Sequence, residues 1–269
     1  GLGVLASIRG NFDEATRLSQ QAARAAEARG DTHNLANALS ELASAAFARG
    51  HYSVAETHGL RAVMLLESSA NWLSLAYVLS NLGQVARAQG DYTTASRRYQ
   101  RSYEIHEQMD SPGGKAANLN DLAQIAWLMG DFAGSQQQFE QSLALHRLIN
   151  DRGGMAASLN GLGRCALAGG DWPQAAHHFS QALSVALEMD FAPLALGILC
   201  SIAELLLQTA NAAQARNFLA FTIAHPACDQ ETNQRATRLL AVAADTSATP
   251  PPPPADPGRE LAWMGRRAL

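Results

Sequence analysis

Apolar positions recur every forty residues along most of this chain. With Gly10, Gly50, Gly90, Gly130 and Gly170 as markers and Ala210 as a sixth, leucine stands eleven residues before the marker at Leu39, Leu79, Leu119, Leu159 and Leu199. Eight before it come Leu42, Leu82, Leu122, Leu162 and Ile202. At about 100° per residue these offsets share one helix face. The next residue is always small (Ala43, Gly83, Ala123, Gly163 or Ala203), which lets a second helix approach closely. That second helix follows the marker. It carries a small residue at Ala15, Ala55, Ala95, Ser135, Ala175 and Ala215, then Tyr99, Phe139, Phe179 and Leu219, then Val63, Tyr103, Leu143, Leu183 and Ile223. The last two series are both expected to face inward.

The marker glycine supplies the left-handed turn that ends the first helix, and the Asp or Asn after it can accept from the free amides of the second. Pro173 suits a first helical turn. Each hairpin then closes on a breaker: Gly30-Asp31, Ala70-Asn71, Asp110 to Gly114, Asn150 to Gly154, and Asp190 to Pro193. One unit is thus helix, tight turn, helix, loop. A single hairpin cannot bury both faces, so neighbours stack into a superhelical solenoid, and no strand is needed.

The forty-residue register divides the chain into a partial repeat at 1–33, repeats at about 34–73, 74–113, 114–153, 154–193 and 194–230, and a cap helix at 231–245 whose polar side holds Asn233, Gln234, Arg235 and Arg238. Residues 246–258, with Pro250 to Pro254, read as an extended linker. Residues 259–269, with Trp263, Arg266 and Arg267, read as a flexible tail. Because the chain enters partway through a helix at Gly1-Leu2-Gly3, it is expected to be a piece of a longer protein.

The motif of Leu, then Leu-Gly or Leu-Ala, then Gly-Asp-aromatic, then Ala resembles the tetratricopeptide repeat. Leu159-Asn160-Gly161-Leu162-Gly163 through Gly170-Asp171-Trp172 to Ala175 is its clearest instance, and the resemblance covers about residues 1–245. It implies an all-α, right-handed α-solenoid of antiparallel helix hairpins. The family's usual period is about 34 residues. The additional residues in each unit are expected in longer helices and in the connecting loop. Phrases such as Ser142-Leu143-Ala144-Leu145 are similar to those in the C-terminal arms of bacterial signal-transduction ATPases and MalT-like activators.

Composition narrows the setting. With 47% hydrophobic and 16% charged residues the 269-residue chain can bury a large core. No apolar stretch reaches the roughly 18 residues of a membrane span. Lys115 is the sole lysine and the formal charge is -4, so a phosphate-binding groove for nucleic acid is not expected. Cys165, Cys200 and Cys228 are odd in number and lack metal-type spacing, which suits a reducing cytoplasm. His106 and His146 share a repeat offset, as do His58 and His178, which points to common structural roles. Adjacent His177 and His178 splay on a helix and make a poor zinc pair. No catalytic, metal or cofactor site is expected, and no cofactor.

In the resembling family, partners lie on the inner wall formed by first helices. The positions thirteen, ten, six and three before each marker supply it here: Asn37, Ser40, Ser44 and Phe47; Tyr77, Ser80, Gln84 and Arg87; Asn120, Gln124 and Trp127; Asn160 and Arg164; Cys200 and Glu204. Amides can pair with an extended peptide backbone, and Phe47, Tyr77 and Trp127 offer apolar anchors. The family's carboxylate clamp does not carry over, because no wall position holds Lys, Arg87 and Arg164 stand two units apart, and Glu204 adds the opposite sign. The expected function is a non-catalytic scaffold that binds a protein or peptide, including other domains of the same polypeptide. The alternative is an effector-sensing arm of a STAND ATPase or LuxR-type (MalT-like) transcriptional regulator.

Overall fold

A computed structural model describes residues 12–209 and 211–243. The expectations for the first turns, the proline-rich linker and the tail lie outside these residues. The described residues contain twelve helices and no strand, in two compact units that divide after Met129. The first unit holds α1 (Phe12–Ala28), α2 (Thr32–Ala48), α3 (Tyr52–Ser68), α4 (Trp72–Ala88), α5 (Tyr92–Gln108) and α6 (Pro112–Leu128). The second holds α7 (Phe132–Leu148), α8 (Arg152–Ala168), α9 (Trp172–Glu188), α10 (Ala192–Gln208), α11 (Ala212–Ala224) and α12 (Gln230–Ala243). Within each unit helices pack on their sequence neighbours. First helices also touch one another, α2 on α4 in the first unit, and α8 on α10 and α10 on α12 in the second.

The turns explain the register. Gly50, Gly90, Gly130 and Gly170 have φ of 75°, 81°, 85° and 78°, and a β-carbon on any of them would meet nothing within 4 Å. Glycine is therefore required for its left-handed backbone rather than for space. At Gly90 the turn closes as Gly90 N donates to Arg87 O (3.0 Å) and Asp91 N to Ala86 O (2.9 Å). The next helix is capped at once: Asp91 accepts from Thr94 N, Asp131 from Gly134 N and Asp171 from Gln174 N, at 3.0, 2.9 and 3.1 Å. His51 and Asn211 make no such cap. The second kind of turn uses the same left-handed backbone, at Gly30 with φ of 66° and, without glycine, at Ala70, Asp110, Asn150 and Asp190 with φ of 48–56°.

Two expectations about the loops need correction. The added length of each unit lies wholly in the helices, since α1 to α10 are each 17 residues and connections such as 69–71 are as short as the glycine turns. The stretches Pro112 to Gly114, Gly153-Gly154 and Pro193 belong to the first turns of α6, α8 and α10, not to loops. A first turn has no preceding carbonyls for its amides, so Pro and Gly cost little there. Gly114 and Gly154 have a packing reason as well. A β-carbon on them would stand 2.2 and 2.1 Å from the rings of His106 and His146, so these histidines fill a structural place, and His146 Nδ1 also lies 2.9 Å from Asp151 Oδ2.

Seams between helices are built from small residues against rings. Ala15, Ala55, Ala95, Ser135, Ala175 and Ala215 are at most 1% exposed. The buried rings of Tyr99, Phe139 and Phe179 lie on Gly83, Gly161 and Gly163, where added β-carbons would stand 2.4–2.6 Å from ring carbons. Val63, Leu143 and Leu183 are buried, whereas Tyr103 and Ile223 are only half-buried, and Lys115 Nζ sits 5.6 Å from the Tyr103 ring centre. A polar knot ties α4, α5 and α6: Ser102 Oγ is 2.8 Å from Ala76 O and 2.9 Å from Asn118 Oδ1, while Asn118 Nδ2 donates to Ser80 Oγ. Buried polar groups must be paired, so this knot fixes one register for three helices.

Candidate binding face of the first helices

In the first unit the wall residues lie on α2, α4 and α6. Five of them, Ser40, Ser44, Phe47, Tyr77 and Gln84, meet around a cavity of about 370 Å³ between α2 and α4, whose floor includes Ala55 and Gly59 of α3. Tyr77 is 58% exposed at its rim, Phe47 and Gln84 are half-buried, and the Phe47 and Tyr52 rings are 5.9 Å apart. Asn81, which was not among the expected wall residues, also lines the cavity and donates to Ser44 Oγ at 3.4 Å. Its signal was present: the position nine before the marker is polar at Glu41, Asn81, Asp121 and Ser201. Every residue that lines this cavity is uncharged.

The remaining residues of this unit are placed differently. Asn37 is exposed and pairs with His33 at 3.2 Å. Asn120, at 8% exposure, forms the base of the wall rather than its surface. Asn120 Oδ1 accepts from Gln124 Nε2 at 2.8 Å. Ser80 belongs to the polar knot. Arg87 and Trp127 are half-buried, and Asp121, also half-buried, has its carboxyl pushed up to about 7 by burial, against the pull of Arg87.

In the second unit Asn160 and Arg164 are half-buried on α8. Burial brings the Arg164 guanidinium down to about 10, and Arg235 adds repulsion. Helix α12 lies on α10. Arg235 donates to Glu204 at 2.7 Å and to Ser201 Oγ at 3.1 Å, while Cys200 is fully buried with Thr232 O 4.0 Å from its sulfur. The helix C-terminal to it thus covers part of the wall expected at Cys200 and Glu204. Burial pushes the Cys200 thiol up to about 11, which leaves it inert as a nucleophile. Among the described residues no three His, Cys, Asp or Glu side chains gather as a metal site, and no helix is long and apolar enough to cross a membrane.

Helix hairpins in constant register, joined through glycine turns and stacked along shared apolar seams, define an α-solenoid. Residues 75–109 and 114–188 match tetratricopeptide-repeat family models, so that this part of the chain is built of tetratricopeptide repeats. No curated protein matches it in sequence. Among solved structures it is similar to BtubC (BKLC) from P. vanneervenii, at 17% identity over 92% of this chain and 96% of that one, with a TM-score of 0.62. A Rap protein complexed with Competence and Sporulation Factor aligns at 13% identity over 97% and 74%, with a TM-score of 0.67. A signal transduction ATPase with numerous domains and a tetratricopeptide repeat sensor, from Pyrococcus horikoshii, aligns at 15% identity over 99% and 41%, also with a TM-score of 0.67. At these identities the likeness is one of fold.

Proposed function

We propose that this chain is a non-catalytic protein-interaction scaffold that holds a peptide, helix or partner domain on the face of its first helices. The cavity between α2 and α4 carries this reading, because it gathers wall residues from two hairpins around an apolar floor with polar groups at the rim. Such a site suits a polypeptide with one inserted side chain and a backbone that meets Tyr77, Asn81 and Gln84. The Rap structure, solved with Competence and Sporulation Factor, supports a bound partner on this fold. Three cysteines without disulfides suit the cytoplasm.

The test is selection of displayed peptides on the immobilised chain, followed by fluorescence anisotropy with the wild type and with Tyr77→Ala and Gln84→Ala. Selected peptides should lose affinity at least tenfold in both variants. Peptides that bind both variants as well as the wild type, or a selection that yields none, overturn the reading. A sensing arm of a STAND regulator is the second reading, favoured by the extent of the match to the sensor-bearing ATPase. An ATPase module and a DNA-binding module in the same reading frame would support it.

A further inference from the structure

Buried rings recur at one offset of the second helices, and the hairpin of α2 and α3 has no side chain there at all. Nine residues after the marker the second helices carry Tyr99, Phe139, Phe179 and Leu219, all at most 2% exposed, but the same place in α3 is Gly59. In α1 it is Ser19, whose hydroxyl donates to Glu41 Oε2 at 2.8 Å and so closes that seam with a polar contact. At the third hairpin the Tyr99 ring lies on Gly83, and at the fifth the Phe179 ring lies on Gly163. The matching first-helix residue here is Ala43, so both sides of the seam are small at once. The cavity opens at this point, with Ala43 and Gly59 in its wall. Leu82 leans into part of the space, since a β-carbon on Gly59 would stand 2.6 Å from its Cδ2.

The room left over is larger than one ring requires. A cavity of about 150 Å³ admits benzene, and this one measures about 370 Å³. Its uncharged lining offers nothing to offset the desolvation of a charged occupant. We propose that the cavity takes one uncharged aromatic side chain from a partner polypeptide, seated where other hairpins of this chain hold a ring of their own. The occupant's chemistry follows from the chain's own use of Tyr99, Phe139 and Phe179 at this place. Tyr77, exposed at the rim, closes over the inserted ring. This inference rests on the scaffold reading and names its anchor.

Gly59→Phe supplies the ring from within by displacing Leu82, whose Cδ2 and Cγ would stand 2.6 and 2.9 Å from the added β-carbon. The probes are p-cresol and N-acetyl-phenylalaninamide, followed by amide NMR shifts at Ala43, Ala55 and Leu82 and by the thermal midpoint. Both probes should shift these amides saturably and raise the midpoint of the wild type, N-acetyl-lysinamide should do neither, and Gly59→Phe should weaken probe binding at least tenfold. Absence of saturable shifts, or undiminished binding by Gly59→Phe, overturns the proposal. Should Gly59→Phe fail to fold, Ser44→Leu narrows the cavity from the α2 side and is read in the same way. Selected peptides should contain an aromatic residue whose replacement by Ala lowers affinity at least tenfold. Peptides held through Tyr77 and Gln84 without such a residue overturn the anchor and leave the scaffold reading in place; a selection that yields none overturns both.

Discussion

The ring of Phe179 lies so close to Gly163 that a β-carbon on the glycine would stand 2.5 Å from Cε1 and 2.6 Å from Cδ1. Since Phe179 is fully buried, it has nowhere to retreat. Gly163→Leu should therefore destabilise the chain by about 1–3 kcal/mol or more, the range for overpacking of a close-fitted core. An unchanged urea midpoint would refute the fit described for this seam.

The left-handed residues of the second turn are a separate source of strain. Ala70 holds φ of 52° with an ordinary β-carbon, whereas Asp110, Asn150 and Asp190 are of the types that tolerate this conformation better. Ala70→Gly should raise stability by about 0.5–1 kcal/mol, after the entropy of the added glycine is subtracted. Asn150→Gly should change it less. Equal effects in thermal denaturation would show that the side chains of Asp and Asn give no local relief.

Acid should weaken the fold through a buried and a half-buried histidine, His146 and His106. Burial holds His106 and His146 below their ordinary 6.5, with Asp151 opposing the shift at His146. Unfolded histidine takes up protons at about 6.5, so this stability is present above that pH and is lost as pH falls through it towards the folded values. Asp121 acts in reverse. Its folded value of about 7 against 3.8 for the free group means stability that is full below 3.8 and lost as pH rises through 7. Asp121→Asn should thus gain on the order of 1 kcal/mol at about pH 8 and little at about pH 4. The joint His106→Gln, His146→Gln variant should flatten the acid limb. Urea midpoints across pH check both, and an Asp121→Asn gain that does not vary with pH would sink the titration argument.

Helix α12 is pinned through a half-buried ion pair. Loss of the Arg235 contacts to Glu204 and Ser201 in Arg235→Met should cost about 1 kcal/mol and should speed amide exchange in α12 ahead of α8 and α9. Exchange in α12 that matches the wild type would mean that its apolar residues, Ala236 and Ala243 among them, hold it alone.

The helices were legible because a forty-residue period places Leu, small residue, glycine and ring at fixed offsets, and one repeat checks another. Glycine-rich stretches misled, since Gly113-Gly114 and Gly153-Gly154 read as breakers when they lie in the first turns of helices and Gly114 and Gly154 make room for histidine rings. A clue was available: His106 with Gly114 and His146 with Gly154 recur as pairs at one spacing. The α2–α4 face was half legible. Tyr77 and Gln84 followed from helical geometry, but the cavity arises from the ring series failing at Gly59, and a pattern read for its matches passes over its gap. The register carries on into α12, where Ala236 and Ala243 fall forty residues after Leu196 and Ala203, but it does not show that Arg235 on the polar side reaches Glu204.

Contacts within each unit run chiefly between helices one or two apart in sequence. A harmful change in one hairpin therefore weakens its own two borders and leaves more distant ones as they were. Wear in such a molecule stays local, and a partner that grips several hairpins together reports on whether all of them are sound.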